Sequence, residues 1–332
     1  MIVESYLNGI LPRSDLALEI GSSWLKGRET RETFDNILEK ETNELIELQQ
    51  SLGLNYVIDG QLFWNDFLRP IAAALNLHRE KSNADENPVT RQIYTNTFYR
   101  KPSILKKIES TNRLIDGKFL DLIENGKRKV ILPSPFALVY LSDGIHRNEN
   151  GTIKNDIFIE LLFDAAKILN QEAKRLKQEK NISFIQFNDP CMAYAEETQD
   201  FFSEINKSLS IASQGIKIAT SLHLYNGNVS KFFPDILKFP VGRIGLDAYS
   251  ANLSKFTNKK FEKFLELGIV NSKNSLIEKP EIIAEYAKQV IEKINPNGLA
   301  LVPNRPLELV PQKIAIKKIE SLAKAKELLN EK

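Results

Sequence analysis

The sequence contains one cysteine, Cys191, which excludes an internal disulfide and any metal site built on several thiolates. It is almost free of charge imbalance, with 45 Lys and Arg against 43 Asp and Glu for a net charge of +2. No global basic field therefore points to nucleic acid or to an anionic membrane surface. No apolar run approaches the length that spans a bilayer, and no opening segment reads as a signal peptide. Neither G-x-G-x-x-G nor a P-loop is found, so the usual phosphate-cradling turns are missing. The expectation is a cytoplasmic protein that meets a small-molecule substrate, with neither nucleic acid nor membrane as partner.

What is present is an alternation of short apolar β-rich runs and longer amphipathic helical patterns. The strand candidates are Val3–Leu7, Tyr56–Ile58, Val130–Leu132, Phe184–Phe187, Ile218–Leu222, Arg243–Leu246, Leu265–Val270 and Leu299–Val302. Between them, apolar residues recur at three and four positions over Arg31–Leu52, Asp156–Glu179, Asp200–Gln214, Pro280–Ile294 and Pro311–Leu329. About eight strand-then-helix units indicate an α/β protein of the (β/α)₈ TIM-barrel class, and residues 1–332 read as one such domain. Lys-rich stretches such as 174–180 and 313–326 alternate with Glu and apolar residues and read as solvated helix faces.

The spacing is uneven between the second and third strands, where residues 61–102 form a long excursion. Excursions of that length in compact domains are commonly lids or extra hairpins. Its aromatic residues Phe63, Trp64, Phe67, Tyr94, Phe98 and Tyr99 predict that it packs back onto the barrel and covers the C-terminal mouth. A helix is expected to begin near Gln61.

The last residues of the strands supply polar groups: Asn8, Asp59, Ser134, Asn188 with Asp189, His223, Asp247, Asn271, and Asn304 with Arg305. In a closed barrel these ends converge on one pocket. Singly, each has a plainer reading as a turn residue or helix cap. A lone histidine at a strand end is more often a hydrogen-bonded structural residue than a functional one.

Several stretches resemble the cobalamin-independent methionine synthases. Asn8-Gly9-Ile10-Leu11-Pro12-Arg13 is similar to the family's first loop, and Val57-Ile58-Asp59-Gly60-Gln61 with Asp66 to its "DGE-x-x-x-x-D" segment. Phe98-Tyr99-Arg100-Lys101-Pro102 resembles an Arg-Pro segment, Leu132-Pro133-Ser134 a "GP-x-T" turn, and Ile185-Gln186-Phe187-Asn188-Asp189-Pro190 the "IQIDEP" strand end. Leu267-Gly268-Ile269-Val270-Asn271-Ser272-Lys273 is similar to the "GV-x-D-x-K-S" stretch. The resemblance runs from end to end in order. It implies a (β/α)₈ barrel and methyl transfer from a methyl-folate or methyl-pterin donor to homocysteine or a related thiol, with zinc activating the thiol.

The zinc set of that family is His-x-Cys, Glu and a Cys in a "PDCG" turn. Against it this sequence offers His223, Tyr225, Asp247 and Arg305. No metal is therefore expected, or at most a site using His223 and Asp247, since an arginine that stays protonated repels a dication. The "DEP" carboxylate that meets an amino acid's ammonium is here Asn188. The resemblance makes His223, Asp247 and Asp189 the catalytic candidates. It makes Asn188, Ser134, Asp59, Trp64, Asp66, Arg100, Tyr225 and Arg305 the substrate-binding candidates, with Arg243 a further cation for an anionic tail. Full-length family members join two barrels, the N-terminal one lacking zinc ligands. A second expectation is thus a non-catalytic folate-binding subunit that complements a separate zinc-bearing barrel.

Overall fold

The computed structural model describes residues 1–78, 89–91, 98–109, 113–258 and 260–331. Seven strands form one parallel sheet: β1 (Val3–Ser5), β2 (Lys129–Pro133), β3 (Phe184–Asp189), β4 (Ala219–Leu224), β5 (Arg243–Asp247), β6 (Phe264–Val270) and β7 (Gly298–Pro303). Their spatial order is β1-β7-β6-β5-β4-β3-β2, with Ser5 opposite Leu301 and Asn188 opposite His223. The gap between β1 and β2 is filled by residues 55–58. Asn55 donates its backbone N–H to Ser5 O, and Val57 bridges in parallel to Arg128. The sheet is thereby a ring, the (β/α)₈ barrel expected from the strand count, with Tyr56–Ile58 reduced to a bridge.

Helices surround the ring: α1 (Asp15–Leu25), α2 (Arg31–Ser51), α3 (Asn155–Lys180), α4 (Phe202–Ser213), α5 (Pro280–Ile294) and α6 (Gln312–Asn330). Their limits have local causes. Thr30 caps α2 by accepting from Thr33 N, Pro280 opens α5 where no N–H is needed, and Asn181 and Asn295 close α3 and α5 in the left-handed conformation. The stripe Ile283, Ala287, Val290 and Ile294 of α5 is buried in the main core. Each buried Ile or Val of this stripe contributes roughly 1.5–3 kcal/mol. Lys318 departs from the solvated-face reading: it is buried, and its ammonium meets the Glu278 carboxylate at 3.0 Å.

Strand residues divide by parity, as a pleat requires. Ile185, Phe187, Leu222, Leu224, Ile244, Leu246, Leu265 and Leu267 belong to the large core beneath the helices. Tyr6, Tyr56, Phe184, Ala300 and Val302 form a second apolar cluster inside the ring. With them are polar groups of the same parity: Lys129, Gln186, Asn188, Ser221, His223, Arg243, Asp247 and Glu266.

The excursion differs from expectation at its start. Residues 60–63 form a turn with Gln61 left-handed, and the helix begins only at Arg69 and runs to Ala74. Asp66 explains the delay, because its carboxylate accepts from Leu68 N and Arg69 N and from the Arg69 side chain. A hairpin pairs Val89–Arg91 with Phe98–Arg100, and Ser103–Ile104 pairs with Asp143–Gly144. The Tyr99 hydroxyl donates to Leu141 O, tying the hairpin to the barrel. Tyr94 and the tract 79–88 lie outside the described residues. Among the described residues no helix is long and apolar enough to cross a membrane.

His146, just after that pairing, is buried, and its Nε2 lies 3.1 Å from Ser142 O. Burial lowers its pKa to about 4, helped by the Arg147 charge. Below pH 6.5 the unfolded chain therefore binds a proton that the folded chain refuses. Stability is expected to fall as pH drops from 6.5 to 4, by at most roughly 3 kcal/mol from this group. On going from pH 7 to pH 4.5, the urea midpoint should fall further in the wild type than in His146→Leu.

Candidate active site

Three consecutive levels of inward side chains fill the ring. At the base, the Arg243 guanidinium pairs with the Glu4 carboxylate, donates to the Tyr6 hydroxyl at 3.1 Å and the Tyr56 hydroxyl at 3.2 Å, and lies 4.1 Å from the Phe264 ring centroid. Arg243 opens β5, so it stands at the end of the barrel opposite the mouth, where Glu4 and not an anionic substrate tail is its partner. Above it, Lys129 donates to Leu7 O at 2.8 Å and faces the Tyr6 ring at 4.0 Å. Burial lowers its pKa to about 7, the loss being limited by Glu266. The Tyr6 hydroxyl donates to Glu266 Oε1 at 2.9 Å.

Glu266 links this base to the upper level, where its Oε2 faces His223 Nδ1 at 3.5 Å. Burial alone would raise the Glu266 carboxyl, but His223, Lys129 and Arg243 hold it below its ordinary value. His223 Nε2 stands 2.9 Å from Asn8 Nδ2 and 3.1 Å from Asn304 O. A proton on Nδ1, facing Glu266, leaves Nε2 to accept from the Asn8 amide; an imidazolium would donate from Nε2 to the Asn304 carbonyl. The arrangement gives an imidazole backed by a carboxylate, in a form that can hold or release a proton. Glu266 is not among the residues expected from the sequence, because a lone charge in the apolar run Leu265-Glu266-Leu267 does not show which face it takes until the register of the neighbouring strands is known.

The remaining strand ends converge around this pair. Asn188 donates to Asn8 O at 2.9 Å and accepts from Gln186 at 2.5 Å. The Asp189 carboxylate accepts from Ser134 Oγ at 2.5 Å and from the amides of Cys191 and Met192. Burial raises its pKa against those bonds. Ser134 also caps the helix Pro135–Tyr140. Asp247 accepts from Asn304 Nδ2, Tyr249 N and Ser250 Oγ. Arg305 and Tyr225 are buried beside them, with Arg305 NH1 donating to Asn226 Oδ1 at 3.1 Å. Glu308, at the same mouth, is raised to about 7 by burial, against the pull of Arg305.

Four predicted residues lie elsewhere. Asp59 and Trp64 line a separate cavity of about 90 Å³ with Phe63 and Phe119, and Asp59 accepts from Gln61 N in a tight turn. Arg100 lines a cleft of about 450 Å³ with Arg13, Arg69 and Trp24. Asp66 is buried and receives Arg100 N in addition to its own turn, so it fastens the excursion.

Zinc of the His-Cys-Glu-Cys kind does not fit these donors. Both Asp247 oxygens serve the turn that follows β5, both imidazole nitrogens of His223 face protein groups, and Arg305 brings a positive charge. Among the described residues no group of three His, Cys, Asp or Glu side chains stands close enough to hold a metal ion. Cys191 is buried with its thiol against Asp189 Oδ1 at 3.3 Å, and burial together with that carboxylate raises its pKa well above the ordinary value.

Residues 69–295 match the protein family described as "Cobalamin-independent synthase, N-terminal domain". The chain belongs to that family. Among its relatives is a methionine synthase of Thermococcus kodakarensis, 28% identical, with 72% of this chain and 69% of that protein aligned. A methionine synthase of Sulfolobus acidocaldarius is 24% identical over 97% of this chain and 93% of that one. The fold of this cobalamin-independent synthase relative recurs in the B12-independent methionine synthase from Shewanella sp. W3-18-1 in complex with selenomethionine. That structure has a TM-score of 0.79 and 18% identity, covering 100% of this chain and 98% of that chain. A second structure, described as a putative vitamin-B12 independent methionine synthase from Listeria monocytogenes, gives a TM-score of 0.70 at 15% identity over 99% of both chains.

Proposed function

We propose that the barrel mouth around His223 takes part in methyl transfer to homocysteine or a related thiol, with a methyl-folate or methyl-pterin as donor. The observation that carries this reading is the convergence of Asn8, Asn188, His223, Asp247, Asn304 and Arg305 at one end of a barrel whose curated relatives are methionine synthases. In this reading His223, backed by Glu266, is the general base that receives the thiol proton, and Asp189 and Asp247 hold the loops that shape the pocket. No step runs through a metal on His223 and Asp247.

A second reading is favoured by the family match itself, which is to an N-terminal domain. Here the chain holds the donor, and a separate zinc-bearing barrel carries out the transfer. One assay separates the two: purified protein with homocysteine and methyl-tetrahydrofolate or methyl-tetrahydropterin, methionine being read by mass spectrometry, with and without a zinc-bearing family barrel. Methionine made by the chain alone, and reduced about a hundredfold or more in His223→Gln, is the outcome expected of the first reading. Methionine only when the second barrel is added supports the second reading. No methionine in either case, with no donor binding, overturns both.

A further inference from the structure

Among the described residues, two buried cations, Lys129 and Lys318, and the largely buried Arg243 have their charges answered. Arg243 meets Glu4, Lys318 meets Glu278, and Lys129 donates to Leu7 O while facing two aromatic rings. Arg305 differs. It is 0% exposed, yet its Nε and NH2 have no hydrogen-bond partner, and only NH1 is engaged, by Asn226 Oδ1. Glu308, Tyr225 and Asp247 are near enough to feel its charge. None of them forms an ion pair with it within 4.0 Å.

A buried guanidinium with two nitrogens lacking hydrogen-bond partners costs stability, a cost that an anion bound at those nitrogens would offset. Three loops meet at this arginine. Asn226, left-handed at φ 66°, fixes NH1 while its own amide donates to Pro190 O at 3.3 Å, so the loops after β3 and β4 both set the orientation of the arginine. The edge left over carries Nε and NH2, two parallel N–H donors whose spacing matches the two oxygens of a carboxylate.

We infer that the Nε/NH2 edge of Arg305 is a carboxylate subsite, and that its occupant is the α-carboxylate of the amino-acid methyl acceptor. This deepens the acceptor reading proposed above and rests on it for the identity of the occupant, though not for the class. The carboxylate would displace no protein partner, because that edge has none. It would lie at the same mouth as His223, whose Asn304 contact is the residue next to Arg305.

The test compares methionine with methioninol, in which a neutral hydroxymethyl group replaces the carboxylate, by calorimetry on wild-type protein, Arg305→Lys and Arg305→Gln. The expected result is that wild type prefers methionine by about ten- to a hundredfold, and that the preference collapses in both variants while methioninol affinity stays level. Thermal melting of the ligand-free proteins supplies a readout of folding. Arg305→Gln should melt no lower than wild type, since it removes an unanswered charge. A preference that survives in both variants overturns the inference, as does a variant that melts lower with its preference intact, for then Arg305 is structural. If neither amino-acid probe binds wild type, glutarate is titrated next. Glutarate binding lost in Arg305→Gln keeps the carboxylate subsite and removes the acceptor reading, whereas glutarate binding independent of Arg305 overturns the subsite.

Discussion

Gly245→Ala is expected to abolish recovery of folded protein, or to lower its stability by more than about 3 kcal/mol. A methyl group on Gly245 would lie 2.0 Å from His223 Nδ1 and 2.8 Å from His223 Cγ and Glu266 Oε2. Neither neighbour can step aside cheaply. The imidazole is held on its far side by Asn8 and Asn304, and Glu266 by the Tyr6 hydroxyl. Gly245 thus keeps open, on β5, the space through which His223 on β4 meets Glu266 on β6. The check is a urea denaturation curve, or soluble yield where the variant does not fold. Combining it with His223→Ala distinguishes this cause from a general strand defect: removing the ring should recover part of the loss. A double variant no better than Gly245→Ala would show that the ring is not what the methyl group meets.

The second large effect is expected at the base of the barrel. Arg243→Ala removes the cation that answers Glu4, the donor to two tyrosine hydroxyls, and the guanidinium stacked on Phe264. Breaking such a pair leaves Glu4 without its partner and Glu266 with less cationic support. With both side chains slightly open to solvent, the loss should be about 3 kcal/mol, at the low end for buried pairs. Equilibrium unfolding of Arg243→Ala, Glu4→Gln and the double variant gives the coupling. The double variant should be more stable than the sum of the singles predicts, by about 1–3 kcal/mol. Additive losses would mean that the guanidinium acts through packing on the rings alone.

Both predictions concern side chains that the sequence disclosed unequally. The outward phase of each strand was easy to read, because Ile, Leu, Val and Phe recur there, and Pro280–Ile294 appears in the structure with the limits its periodicity predicts. The inward phase was read only at strand ends. Asn188, His223, Asp247 and Asn304 were found that way, while Lys129, Gln186 and Glu266, lower in the same inward rows, were not. A single polar residue inside an apolar strand does not announce its face until the register of its neighbours is known. Arg243 was misplaced for the same reason: its type suits an anion site, but it opens its strand and so belongs to the far end. The excursion was recognisable by length, whereas the delayed helix at Arg69 depends on the Asp66 carboxylate receiving amides and side chains from two segments, 68–69 and 100.

Closure of the ring through β1 and β7 has a consequence for the nascent chain. Val3, Glu4 and Ser5 take Leu299, Ala300 and Leu301 as neighbours, about 300 positions later in synthesis. On the ribosome, β1 must therefore wait for β7, with one edge unanswered while β2 to β6 assemble. At elongation rates of roughly 5–20 residues per second that interval lasts on the order of 15–60 s. Long-range parallel pairing of this kind is also intrinsically slow to form. The brevity of β1, three residues carrying Glu4 in their middle, suits such a wait, since a short strand with an inward charge offers little for another nascent chain to pair with.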